Sequence, residues 1–230
     1  LHNSPKSEQA NKERQAQLSM RNAENRSKFQ KQVKDPKFQA EIDSLTAMNL
    51  SGESPNIKTG PQGHIRLVSG QFYAGADPNN ASEISDRALN IISAHPFIFG
   101  VSANETPEFS SLKHRDDKNQ TVRVVTRYQG LPVWGKEYAL DVTDGIIETI
   151  SGQFTAINAE LDLSHKLTSV ELSEITKGYI KKQHPFLRVN AIMHEQEGVL
   201  LLGEMPIHVF RLEVETSARK SWVLHIAPRS

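Results

Sequence analysis

Residues 121–157 read TVRVVTRYQGLPVWGKEYALDVTDGIIETISGQFTAI, and this stretch decides the fold that the sequence predicts. In its first eight residues, one set of alternate positions carries Val and Thr while the other carries two arginines, as in a strand with one buried face. The residues QGLP at 129–132 form a turn signal, and Asp144-Gly145 is a hairpin signal. The stretch therefore predicts a three-stranded antiparallel meander with one face covering a helix.

Upstream of the meander, the sequence predicts a strand over His64–Tyr73 and a helix from about Ser82 to Ala94. Residues 51–63, SGESPNIKTGPQG, concentrate Gly, Pro, Ser and Asn and predict a loop, after which the folded region begins. The apolar side of the helix consists of Ile84, Leu89, Ile91 and Ile92.

The first 34 residues are polar and charged, and they cannot bury enough apolar surface to offset the entropy of ordering them. Asp35 is a predicted N-cap before Pro36 at the first helical position. The apolar residues that follow at helical spacing are Phe38, Ile42 and Leu45. We expect a short amphipathic helix here, which either lies on its own domain or docks on a partner.

A second helix is predicted over Ser169–Gln183, with strands near 189–195, 198–203, 206–216 and 220–227. Both predicted helices run into His-Pro-Phe, at 95–97 and at 184–186. His can bind the last helical carbonyls, Pro prevents the helix from continuing, and Phe is expected to return to the core. The repeated His-Pro-Phe is either a chance similarity of two helix ends or the trace of an internal repeat. As a repeat, it indicates an α+β fold with two tandem helix-on-antiparallel-sheet modules.

Composition narrows the function classes. Lys and Arg number 27 and Asp and Glu number 27, so the net charge does not favour nucleic acid or an anionic membrane as a partner. The chain has no Cys, which excludes disulfides and thiolate catalysis. No apolar run approaches the roughly 20 residues that span a bilayer, and any signal peptide is expected to have been removed.

The search for catalytic motifs finds no HExxH, no Gly-rich phosphate loop and no G-x-S-x-G elbow. The nearest approach to a metal motif is His194–Glu197, which lacks the second His and is interpreted as a solvated hairpin. The charged cluster His114–Asp117 is interpreted as an exposed loop. We therefore predict no catalytic residue, no metal site and no cofactor, although a scattered triad stays open.

The spacing of residues within 121–157 resembles the propeptide domain of fungalysin and thermolysin precursors. The residues that carry the resemblance are Tyr128, Gly130, Pro132, Val133, Gly135, Asp141, Val142, Asp144, Gly145, Ser151 and Gly152. Residues 169–230 are similar to the companion PepSY domain. Thr126 and Arg127 stand where the family often has two glutamines, so the polar network of those glutamines is not expected here.

The resemblance implies a polar N-terminal arm with a short helix and linker at 1–63, a propeptide domain at 64–160 and a C-terminally incomplete PepSY-like domain at 161–230, both domains cystatin-like. It also implies a noncatalytic prosequence, secreted or periplasmic, that acts as intramolecular chaperone and inhibitor of a zinc metalloprotease catalytic domain. One alternative is a stand-alone periplasmic PepSY-type module that inhibits or scaffolds proteases. Another is a small-ligand-binding or enzymatic helix-on-sheet fold, because such folds host many functions. The coding sequence beyond Ser230 would discriminate the prosequence from the stand-alone module, through a downstream HExxH or a stop codon.

Aromatic residues of the meander are the candidates for binding the partner: Tyr128, Trp134 and Tyr138. Trp134 is either buried or an aromatic anchor for another protein. Structural turn or bulge roles are predicted for Gly130, Pro132, Gly135, Asp144 and Gly145.

Overall fold

A computed structural model of the protein describes residues 29–60, 63–75, 77, 80–202, 205–218 and 221–228, together with residues 20, 23, 24 and 27. The chain forms two compact units, and each is assembled from separate stretches of sequence. The first unit comprises Leu1–Val101, Pro107–Val124 and Glu137–Ala156, and the second comprises Ser102–Thr106, Val125–Lys136 and Ile157–Ser230. These units are discontinuous, whereas the predicted domains at 64–160 and 161–230 are continuous ranges.

The secondary structure is mixed α+β, as predicted. The helices that the structure describes from end to end are α1 (Pro36–Met48), α2 (Ala81–Ala94), α3 (Pro96–Phe99) and α4 (Ser169–Gln183). The strands are β1 (Asn56–Thr59), β2 (Ile65–Tyr73), β3 (Glu105–His114), β4 (Asn119–Tyr128), β5 (Leu131–Thr143), β6 (Ile146–Gly152), β7 (Val189–Leu202), β8 (Met205–Thr216) and β9 (Ser221–Ile226). Within the described part of the chain, no helix has the length and apolar character that crossing a membrane requires.

Helix α1 begins as the sequence predicts. The Asp35 side chain accepts a hydrogen bond from the backbone N–H of Lys37, and Pro36 occupies the first turn. Phe38 and Leu45 are buried in the core of the first unit, so α1 lies on its own unit, the first of the two alternatives. Most of residues 1–34 lie outside the described residues, but residues 29–33 are helical and Phe29 packs against the core of the first unit.

In the first unit, β1 pairs with β2, β2 with β6 and β6 with β5, all antiparallel. The prediction that 51–63 is a loop is wrong for β1, whose four residues pair with the first half of β2. The folded region also begins before residue 64, because α1 contributes to the core. Helix α2 is confirmed, and it buries Ile84, Ile91 and Ile92.

The meander of β4, β5 and β6 is confirmed. Gln129 and Gly130 have φ of 49° and 85°, and Asp144 and Gly145 have φ of 48° and 75°. Positive φ at both central residues is the backbone of a tight two-residue hairpin. Strand β3, which pairs with β4, was not predicted, because its sequence ETPEFSSLKH contains Pro107 and lacks an alternating apolar face.

In the second unit, helix α4 has its predicted bounds, but the predicted break between strands near residue 197 is wrong. Strand β7 is continuous and pairs antiparallel with β8 from Val189↔Thr216 to Leu202↔Met205. Strand β9 pairs antiparallel with β8. Val133 and Trp134 of β5 run parallel to Val199 and Leu200 of β7, a mixed pairing that the antiparallel pattern did not predict.

The two His-Pro-Phe stretches both stop a helix, with His95 and His184 at the C-cap positions. Phe97 packs against the core of the first unit. Phe186, however, is 97% exposed, so its predicted return to the core is wrong. A helix-stop signal determines where the helix ends, but tertiary neighbours determine where the following side chain lies.

Candidate partner-binding surface

Two of the three aromatic residues predicted to bind a partner are core residues. Tyr128 is fully buried in the second unit, and its hydroxyl donates to the carbonyl of Ala159 at 3.2 Å. Tyr138 is fully buried in the first unit, and its hydroxyl donates to the carbonyl of Phe99 at 2.8 Å. The partner-binding role predicted for these tyrosines does not fit their burial, because neither ring is accessible at the surface of the fold.

Trp134 is different, because its side chain is only partly buried. Its ring centroid lies 5.5 Å from that of His225, and the Arg211 guanidinium carbon is 6.0 Å from the same centroid. The latter distance is at the outer limit of a cation–π contact. Trp134 therefore lies close to both an aromatic and a cationic side chain on the sheet of the second unit.

The pleat of β8 and β9 explains this arrangement. Arg211 is directly opposite His225 in the antiparallel register, so both side chains lie on one face of the sheet. Leu212 and Leu224, one position further along, lie on the other face and pack in the core. The face that carries Trp134, Arg211 and His225 is called the Trp134 face below.

Gly198 of β7 provides the space for the Trp134 ring. A Cβ atom at residue 198 would lie 2.6 Å from Cη2 and Cζ3 of Trp134, which is too close for a non-bonded contact. Any larger residue at this position would displace the ring. The close approach of ring and backbone therefore depends on the glycine, and sequence reasoning missed it because Gly198 looks like an ordinary weak strand position.

Charges around the Trp134 face are partly balanced. Arg211 Nη2 donates to Glu213 Oε1 at 3.2 Å, and both side chains are about one third exposed (33% and 34%). Burial lowers the pKa of the His225 imidazole, and the nearby positive charge of Arg211 lowers it further. His225 therefore favours its neutral form, which lies beside Trp134 with the two rings tilted by 59° and adds no second cation next to Arg211.

The predicted turn positions lie in the meander. Gly130 and the Asp144-Gly145 pair occupy the two tight hairpins, and Pro132 is the second residue of β5. Gly135 lies inside β5 with φ of 86°, and a Cβ there would lie 2.6 Å from the carbonyl oxygen of Leu201. This position therefore combines a left-handed backbone with a close approach to β7.

A buried ion pair in the second unit was not predicted. Lys136 Nζ and Glu105 Oε1 are 2.5 Å apart, and both side chains are fully buried. Glu105 Oε2 also accepts from the backbone N–H groups of Ser102 and Ile157, at 2.8 and 3.0 Å. Burial lowers the pKa of the Lys136 ammonium, although the attraction and hydrogen bond of Glu105 raise it in part. This pair joins three separate stretches of the second unit.

A second charged cluster joins the residues before α4 to the sheet. Glu197 Oε1 accepts from Nζ of Lys166 and, at 2.9 Å, from Nε2 of His208. Burial alone would raise the pKa of the Glu197 carboxyl, but the hydrogen bonds and positive charges of Lys166 and His208 together lower it. One carboxylate with two donors cannot hold a metal ion without more ligands.

The two sequence clusters considered for metal binding are also accounted for. His194–Glu197 belongs to strand β7, one arm of the hairpin that β7 forms with β8. Of the cluster at 114–117, His114 is the last residue of β3, and Arg115–Asp117 are exposed residues that follow it. Among the residues that the structure describes, no group of three or more His, Asp or Glu side chains is arranged to hold a metal ion.

A scan against models of known protein families finds no match, and a search of curated proteins finds no similar sequence.

Proposed function

We propose that the chain is a noncatalytic prosequence that assists the folding of a secreted zinc metalloprotease and inhibits it. We further propose that its two units are cystatin-like propeptide and PepSY modules. The Trp134 face is proposed as the surface that binds the catalytic domain of the protease. The prosequence function and the role of the Trp134 face can be tested separately.

The observation that carries the proposal is the composition of the Trp134 face. Trp and Arg are enriched among the residues that contribute most to protein–protein binding. Here a partly exposed Trp134 is preorganised by Arg211 and His225, so little side-chain entropy remains to be lost when a partner binds. Such a rigid aromatic anchor suits recognition of another protein.

The local structure of the meander supports the resemblance to metalloprotease propeptides. The glycines and the Asp-Gly pair of that pattern occupy positive-φ turn or close-approach positions. Positive φ and close backbone approaches favour glycine, and a tight hairpin favours Asp-Gly, which would explain why the family pattern has these residue types here. The resemblance is therefore compatible with the geometry of 128–145.

The proposed mechanism needs one surface for two effects. A prosequence that binds a late, native-like folding state more tightly than earlier states lowers the barrier to folding. The same contacts then block the folded protease, and covalent attachment raises their effective concentration until cleavage releases it. The zinc and the reactive groups would belong to the protease.

Inhibition by the purified chain tests the proposal. We expect the chain to slow peptide hydrolysis by the mature protease encoded with it and to increase the recovery of activity after dilution from denaturant. Trp134→Ala should weaken inhibition by roughly thirtyfold, as expected for a hot spot worth about 2 kcal/mol. Phe186→Ala, which truncates a more exposed aromatic residue outside this face, is the matched control and should leave inhibition unchanged.

Three outcomes would contradict parts of the proposal. Equal inhibition by Trp134→Ala and the unsubstituted chain would remove the Trp134 face from the contact. Absence of both inhibition and assisted refolding would remove the prosequence function itself, and a stop codon directly after Ser230 would favour the stand-alone PepSY-type module instead.

A further inference from the structure

The first half of strand β7 has one open edge. Strand β8 pairs along one side of β7 over its whole length. On the other side, the described residues provide only the short parallel pairing of Val199 and Leu200 with β5. Residues 189–197 thus present, within the described part of the chain, a row of backbone N–H and C=O groups without a strand partner.

A groove of about 480 Å³ runs between this edge and helix α4. On the helix side it is lined by Ser169, Ser173 and Lys177, which are four residues apart and so form one stripe along the helix. The helix uses a different stripe, Leu172, Thr176 and Ile180, to pack on the sheet. The groove therefore borders a face of α4 that the helix does not use for packing on the sheet.

We propose that this groove binds a short extended segment of another polypeptide, which adds to the open edge of β7 as a further strand. An unpaired strand edge supplies main-chain hydrogen bonds to an extended chain of any sequence, and adjoining side chains select among sequences. The volume lies within the roughly 300–1,000 Å³ of ligand-binding clefts. This site uses none of the residues of the Trp134 face and does not depend on the proposed function.

The charges of the lining define the occupant. Of the three groove residues of α4, Lys177 is the nearest to the C-terminal end of the helix, which the short connection 184–188 joins to the start of β7. Glu195 lines the groove further along the strand. The segment that complements these charges carries a carboxylate facing Lys177 and a cation facing Glu195. The hydroxyls of Ser169 and Ser173 add hydrogen-bonding groups to the helix side of the groove.

Two bulges favour a short segment over a second copy of this chain. Asn190 and Met193 have no partner on β8, because the register shifts at both positions. Bulges bend a strand and make its edge a poor template for long edge-to-edge pairing. They also direct extra side chains into the groove, and Met193, which is 48% exposed, provides an adaptable apolar contact.

The test is selection from a phage-displayed library of random octapeptides against the purified chain. We expect enrichment of peptides with alternating β-branched residues, one acidic residue and one basic residue. Hydrogen exchange with a selected synthetic peptide should then protect amides of 189–197 and leave those of β9 unchanged. The absence of enriched peptides, or protection confined to other strands, would overturn the proposal.

Substitutions on the helix make the test specific. Ser173→Trp fills the groove and should abolish peptide binding, with circular dichroism as the check on folding. Lys177→Glu should weaken binding of an acidic peptide by roughly threefold to tenfold, as expected when an exposed attraction becomes a repulsion. Lys182→Glu makes the same charge change outside the groove lining and should have no effect.

Two further outcomes are informative. A dimer in sedimentation velocity whose formation protects 189–197 without peptide would overturn the proposal in favour of a second copy. Trp134→Ala should bind the selected peptide normally, so loss of inhibition in that variant and loss of peptide binding in Ser173→Trp report on different sites.

Discussion

Two helices of this protein end in the same tripeptide, and the two ends differ. After α2, the His95 ring is buried and its Nδ1 donates to the carbonyl of Ile91 at 2.7 Å. After α4, the His184 ring stacks near Trp222 with centroids 4.8 Å apart, and Phe186 points into solvent. The C-cap backbone angles are nevertheless similar, with φ of −125° and −138°.

The difference arises from α1. In the first unit, the Ser44 hydroxyl is 3.0 Å from Nε2 of His95, and the Glu41 carboxylate accepts from the backbone N–H groups of Phe97 and Ile98 at 3.0 and 2.8 Å. These contacts cap the short helix α3 and place Phe97 against Phe38. The described residues of the second unit provide no corresponding helix for 184–186.

The comparison teaches that the tripeptide encodes a helix end and no more. The first unit supplies partners for the residues that follow, and its core is one continuous apolar cluster. The second unit divides its apolar contacts between two clusters and adds a buried ion pair. The units should therefore respond differently to substitutions of similar size.

The largest expected effect is in the second unit. Lys136→Met leaves the Glu105 carboxylate buried without its cation, which should lower the free energy of unfolding by about 3–5 kcal/mol. Both tryptophans of the chain, Trp134 and Trp222, belong to the second unit, so tryptophan fluorescence in a urea titration reports on that unit.

A double variant distinguishes an uncompensated charge from a simple packing defect. Glu105→Gln retains a carbonyl oxygen for the N–H groups of Ser102 and Ile157 while removing the charge. Combined with Lys136→Met, it should recover most of the lost stability. Additive losses in the double variant would contradict the electrostatic explanation.

A second pair of substitutions compares the two phenylalanines directly. Phe97→Ala removes a ring that packs on the core and should destabilise the first unit by about 2–3 kcal/mol, less than for a fully buried ring. Phe186→Ala should change stability by at most about 0.5 kcal/mol. Hydrogen-exchange protection of α2 and α4 measures each effect, and equal losses would contradict the comparison.

Local signals explain which parts of the fold could be predicted from sequence. Periodicity, Asp35-Pro36 and the Asp144-Gly145 turn located α1, α2, α4 and the meander, because these features are encoded by neighbouring residues. Strands β1 and β3 were missed because their residues are mostly exposed and polar, and pairing with another strand defines them.

The sequence predicts the candidate binding surfaces less well than it predicts the fold. The ion pair had a partial signal, since Tyr138, Leu140 and Val142 alternate on the buried side of β5 and the same period places Lys136 there. Glu105 gave no such signal. The Trp134 face and the groove depend on Arg211, His225 and Lys177, which tertiary structure brings beside distant residues.

The contribution of α1 can be tested at Glu41. Glu41→Ala removes the acceptor for two N–H groups of α3, and we expect a loss of about 1–2 kcal/mol from the first unit. Asp43→Ala is the matched control, because it removes a carboxylate of the same helix that accepts a hydrogen bond from the exposed Gln39 side chain. This variant should lose less stability than Glu41→Ala. Similar losses in both variants would assign the effect to helix charge rather than to capping.

The smallest expected effect concerns the starts of the two helices. In α4, Glu171 accepts from the backbone and hydroxyl of Thr168, and these hydrogen bonds lower the pKa of its carboxyl. In α2, the cap is the side-chain amide of Asn80, which does not titrate in this range. Glu171 binds a proton more readily in the unfolded chain than in the folded protein. The contribution of the Glu171 carboxylate to stability is therefore present above about pH 4.5, and it is lost as the pH falls through the lower folded-state pKa.

Acidification from about pH 6 to about pH 3 should therefore reduce amide protection in the first turn of α4 more than in the first turn of α2. Glu171→Gln keeps an acceptor for Thr168 but removes the titration, so protection at the start of α4 should become less dependent on pH. An unchanged pH dependence in that variant would show that a different titrating group controls amide protection in the first turn of α4. The contrast between a carboxylate cap and an amide cap would then not explain the difference between the two helices.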